Sequence, residues 1–88
     1  MTDPDLPLKT TPYFQNEVLR KRSFLKLIWI QMVLADPLRI EQQPDGRFRV
    51  WGRIPDDEPL YGGKILRVIL EKDRETVHNA FPDRGVKL

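Results

Sequence analysis

His78 is the single histidine in this chain of 88 residues. Histidine is the one side chain whose ordinary pKa, about 6.5, lets it take up and return protons near neutrality. The residues most able to work with it are arginines set at alternate positions: Arg47, Arg49 and Arg53 around Trp51, with Arg67 inside Lys64–Glu71. Guanidinium forks match the oxygens of a phosphate, and an aromatic plane can stack a base. A histidine beside such a set would supply a proton shuttle, which together is the chemistry of phosphodiester recognition. The same spacing also describes an ordinary half-solvated strand, whose arginine stems cover apolar surface. The spacing leaves both readings open.

Other chemistries have less to build on. The chain has no cysteine, so neither a disulfide frame nor a thiolate zinc site is expected. One histidine does not make a His-rich metal site, and the carboxylates show no EF-hand or comparable loop spacing. No cofactor and no metal are expected. The net charge of +2 is a weak pointer to a polyanionic partner. The amino terminus lacks the basic flank and apolar run of a signal peptide. The longest apolar stretch, Phe24–Ala35, is broken by Lys26 and Gln31 and falls short of the ~20 residues a membrane span requires. A soluble, cytoplasmic protein without a membrane partner is expected.

The elements that must position these residues follow from period and punctuation. Residues 1–11 show little periodicity and are expected to be a flexible tail, followed by one α+β domain over 12–88. Thr11-Pro12 is a helix start, with Thr11 as N-cap and Pro12 in the first helical position, giving a short helix to about Arg20. Ser23 can cap a second helix from Phe24 to about Leu34, stopped by Asp36-Pro37. That helix is apolar nearly all round. It is either a core helix between the sheet and the first helix, or it keeps one face for a partner, a homodimer through the apolar helix included.

Beyond Pro37 the period becomes two. Leu38–Gln42, Arg47–Ile54, Lys64–Glu71 and Glu75–Phe81 read as four strands, with turns at Pro44-Asp45-Gly46 and Lys72-Asp73-Arg74 and an acidic loop over 55–63. The expected fold is two amino-terminal helices packed on one face of a four-stranded antiparallel sheet. Phe48, Val50, Ile54, Leu66, Val68 and Leu70 would face the helices, with Val77 and Phe81 from the last strand, where Asn79 would then need hydrogen-bond partners. Arg47, Arg49, Trp51, Arg53, Arg67, Thr76 and His78 would share the open face. Ile65 and Ile69 fall there too, which suits a partner-covered surface.

Several of these segments together resemble a known family. Glu17-Val-Leu-Arg-Lys-Arg22, Asp36-Pro37, Pro44-Asp-Gly-Arg47, Trp51-Gly52, Leu66-Arg-Val68 and His78-Asn-Ala-Phe-Pro-Asp-Arg84 look like small bacterial proteins that resemble the RelE-like toxin nucleases of the barnase–EndoU–colicin-D–RelE group. The resemblance spans roughly residues 12–88 and is most specific at the closing seven residues. It implies a RelE-like fold and a metal-independent endoribonuclease with RNA as substrate and a small antitoxin protein as partner. On that reading His78 is the general acid or base and Arg67 stabilises the transition state, with Arg49 assisting. The second proton-transfer role would fall to an arginine, a lysine, Glu71 or the substrate's own phosphate. Trp51 would stack a base, while Arg47, Arg53, Arg20 and Arg22 would hold phosphates. Asp83 would orient His78 or, as the shorter reach favours, pair with Arg84 at the surface. The competing expectation is a non-catalytic module or accessory protein that binds protein or nucleic acid through the same face or the apolar helix.

Overall fold

A computed structural model describes residues 8–87. Thr11 caps the first helical segment, its Oγ1 accepting the Phe14 backbone N–H at 3.1 Å. The segment continues as a π-type turn, Phe14–Val18, in which the Leu19 N–H bonds back to the Phe14 carbonyl, and then as α1, Leu19–Lys21. Phe14 and Val18, four apart, point inward and are fully buried.

The second helix, α2, is Leu27–Ala35 and starts three residues later than Phe24. Ser23 does not cap it. The chain turns instead, with the Leu25 N–H bonded to the Arg22 carbonyl at 3.0 Å. Phe24 stacks on Tyr61, ring centres 4.6 Å apart, and Leu25 is buried, so both side chains are placed by a turn rather than by a helical face. Asp36 ends the helix as expected. Trp29, Ile30 and Val33 are buried, whereas Ile28 and Met32 stay 52% and 43% exposed. The helix is therefore covered on one side only, not sandwiched. Among the described residues no helix is long and apolar enough to cross a membrane.

The sheet comprises β1, Arg39–Gln42; β2, Phe48–Arg53; β3, Ile65–Leu70; and β4, Val77–Pro82. It is an antiparallel meander in the order β1-β2-β3-β4, making the domain α+β. Val50, Ile54, Leu66, Val68 and Leu70 face the helices and join Phe14, Val18, Trp29, Ile30 and Val33 in one core. Period two holds cleanly through β2 and β3.

It fails in β4. Ala80 pairs with Val68 and Asn79 with Ile69, but Val77 pairs with Leu70, leaving His78 as an extra residue in a β-bulge. The bulge allows Val77 and Ala80, three apart, both to be buried. Phe81, expected in the core, therefore lies on the open face opposite Arg67, and Asn79 lies there as well. His78 reaches the open face as expected, though by the bulge rather than by simple alternation.

The end of the segment expected to be a tail is bound. Thr10 makes a parallel bridge with Val77, through Thr11 N–H to Val77 carbonyl at 3.0 Å and Val77 N–H to Lys9 carbonyl at 2.8 Å. Leu8 packs against the core. The rest of that expected tail, residues 1–7, lies outside the described residues. Asp73 braces the hairpin before β4 by accepting the Thr76 hydroxyl and the Thr76 and Glu75 N–H groups, which hold its carboxyl down at about 2.

Gly52 permits α2 to lie close on the sheet. A Cβ there would stand 2.8 Å from a Val33 methyl and 3.0 Å from the Val33 backbone Cα. Gly52→Ala is expected to destabilise the domain by about 2 kcal/mol, because a backbone atom rather than a flexible side chain must give way. Denaturant titration checks this; an unchanged midpoint contradicts the close packing.

Candidate functional site

The register of the sheet lines up one row across all four strands of the open face. Arg39 lies opposite Trp51, Trp51 opposite Arg67, and Arg67 opposite Phe81. Cations and rings alternate along it. The Arg39 guanidinium is 5.3 Å from the Trp51 ring centre, and that of Arg67 is 5.6 Å from Trp51 and 4.9 Å from Phe81. Arg22, in the turn after α1, extends the row at 5.5 Å from Phe81. Each contact is attractive through the ring quadrupole.

Asp83, just past β4, clamps this row. Its Oδ2 accepts Trp51 Nε1–H at 2.9 Å and Arg67 Nε–H and Nη2–H at 2.9 and 2.6 Å. Burial on its own would push this carboxyl up. The bonds from Trp51, Arg67 and the Gly85 N–H, with the Arg67 charge, outweigh it and hold the group below the usual carboxylate range. Two expectations change. Trp51 is only 4% exposed, its N–H bonded and its ring flanked by two guanidinium groups, so it offers no open plane to a base. Asp83 pairs with Arg67 and Trp51, and with neither His78 nor Arg84.

Toward the bulge, the face opens into a cleft of about 320 Å³ lined by Tyr13, Gln43, Arg47, Arg49, Arg67, Ile69, His78, Asn79 and Phe81. His78 is 22% exposed at its side chain. Its Nδ1 faces the protein, 3.3 Å from Glu71 Oε1 and 3.3 Å from Thr11 Oγ1. Glu71 Oε1 also accepts Arg47 Nε–H at 2.8 Å. Nδ1 donates to these oxygens in one tautomer and accepts from the Thr11 hydroxyl in the other. Tyr13 stacks on the imidazole at 4.9 Å with planes 23° apart, and is itself 45% exposed. Arg49 is held loosely by Glu41 at 3.5 Å.

The cleft thus gathers His78, Arg67, Arg49, Arg47 and Asn79. It does not gather Arg53, paired with Asp56 at 3.1 Å at the other end of β2, or Arg20, paired with Glu17 at 3.6 Å on the first helical segment. Arg22 donates to Asn79 Oδ1 at 3.4 Å from the far side of Phe81, and Arg84 lines a separate cleft with it. Tyr13 and Thr11 enter the site unannounced by the strand pattern. They arrive because the Thr10–Val77 bridge lays residues 9–11 against β4, a long-range pairing that local spacing does not encode.

Compared with family models, with curated proteins and with solved structures, the chain matches none of them.

Proposed function

We propose that the open sheet face binds single-stranded RNA and cleaves its backbone without a metal ion, as a RelE-like endoribonuclease of the toxin–antitoxin kind. One observation carries this reading: a histidine whose Nδ1 lies beside Glu71 and Thr11 shares a cleft with three arginines and an exposed tyrosine. Tyr13 takes the base-stacking role that the burial of Trp51 removes. His78 Nε2 withdraws the 2′-hydroxyl proton, and the resulting oxygen attacks phosphorus. The P–O5′ bond breaks to leave a 2′,3′-cyclic phosphate, and the imidazolium returns its proton to the departing 5′-oxygen. Arg49 and Arg67 offset the charge developing on the phosphoryl oxygens. Glu71 and Thr11 fix the ring, so they are positioning residues.

Labelled RNA incubated with purified protein in excess chelator tests this. Cleavage to cyclic-phosphate ends, absent from His78→Ala, is expected, together with growth arrest on expression relieved by a neighbouring small gene. RNA that is bound but never cut transfers the face to the second reading, a binding module, which the pairing of Arg47, Arg49 and Arg67 with carboxylates favours.

A further inference from the structure

A second cleft, of about 350 Å³, lies on the other side of Phe81 from His78. Arg22, Lys64 and Arg84 line it with Phe24, Tyr61, Phe81 and Pro82, and no carboxylate lines it. Arginines of the first cleft are each engaged by an acidic side chain. These three cations are not: among the described residues Arg22 contacts only the Asn79 amide oxygen and the Phe81 ring, while Lys64 and Arg84 have no ion-pair partner.

The cleft is held in shape by its surroundings. The loop over 55–63 is pinned by Glu58, which accepts Lys26 Nζ–H at 2.7 Å and the Trp29 indole N–H. That loop presents Tyr61, stacked nearly parallel on Phe24. Lys64 is fixed at its backbone, its N–H on the Tyr61 carbonyl at 3.1 Å and its carbonyl accepting Ile54 N–H at 2.9 Å. Uncompensated cations beside half-buried aromatic rings suit a phosphate with its base better than an acidic peptide, which would leave the rings unused.

We propose that this cleft is a second phosphate subsite for single-stranded nucleic acid, continuous with the His78 cleft around Phe81. It binds a backbone phosphate through Arg22, Lys64 and Arg84, with the Phe24–Tyr61 pair as the wall for its base. The proposal rests on the reading that the open face binds RNA, and it adds the direction in which the strand leaves the reactive cleft.

The test measures equilibrium binding of a non-cleavable oligonucleotide, its 2′-oxygens methylated, against salt concentration for the wild type and for the Lys64→Ala/Arg84→Ala double variant. Both side chains are exposed and unbonded, so circular dichroism should be unchanged. Losing the hold on that one phosphate should reduce the slope of log K against log salt by about 0.7. An oligonucleotide too short to occupy both clefts should show equal slopes for both proteins. A wild type that binds but shares its long-oligonucleotide slope with the variant overturns the subsite alone. A wild type that binds no oligonucleotide overturns the RNA reading together with it. Displacement of RNA by polyglutamate as readily as by RNA assigns the cleft to acidic protein and overturns the proposal.

Discussion

On the proposed function, His78→Ala is expected to cut the single-turnover rate of RNA cleavage by about a hundredfold or more, while affinity for a non-cleavable RNA stays close to that of the wild type. The size follows from losing one positioned proton-transfer group, which contributes roughly 10²–10⁴ to such reactions. The expected separation of rate from affinity follows from the proposed site: there the phosphate contacts come from Arg49 and Arg67, whose partners Glu41 and Asp83 do not touch the imidazole. Added imidazole should restore part of the lost rate, because the ring vacates a space beside exposed Tyr13. Glu71→Gln should slow cleavage less, since Thr11 still meets Nδ1. A variant that cuts at the wild-type rate removes His78 from the chemistry.

Asp83→Ala lowers stability by about 3 kcal/mol at neutral pH. The carboxylate is 8% exposed at its side chain and serves both an indole N–H and a guanidinium. Removing it leaves both donors facing a site with no acceptor, the costly half of a broken buried pair. In a domain this small the melting temperature should fall by roughly 10–20 °C. The pH dependence has a definite sign. Asp83 sits below its ordinary value of 3.8 in the folded state, so its contribution is complete above that value and disappears as pH falls below it. The gap between wild type and variant should therefore narrow as pH falls below that value. Equal stability at pH 7, or a gap that does not narrow in acid, rules out the clamp.

Strands β2 and β3 were legible because Phe48 and Val50 alternate with Arg49, Trp51 and Arg53, and Leu66 and Val68 flank Arg67, a two-residue periodicity that needs no distant information. The open-face positions of Arg47, Arg49, Arg67 and His78 were read on that basis. The bulge was not read, since no glycine marks it, and it reversed Phe81 and Asn79. A signal was present: Val77 and Ala80 are apolar three apart, which regular alternation cannot place on one face. The burial of Trp51 could not be inferred either, because it depends on Asp83 returning to the sheet from beyond β4. The start of α2 was misplaced because Phe24 packs on Tyr61, thirty-seven positions away in the chain.

The parallel bridge between Thr10 and Val77 makes residues 9–11 a clasp on the His78 cleft. Two backbone hydrogen bonds, from Thr11 N–H and Val77 N–H, hold the segment that brings Thr11 and Tyr13 to the imidazole. A pairing this short belongs to the least stable level of a folded domain and opens without unfolding the rest. Competence of the site is then a local equilibrium, separable from global stability. The exchange rates of those two amides, compared with that of Val68 in the sheet centre, would read out how often the cleft is assembled.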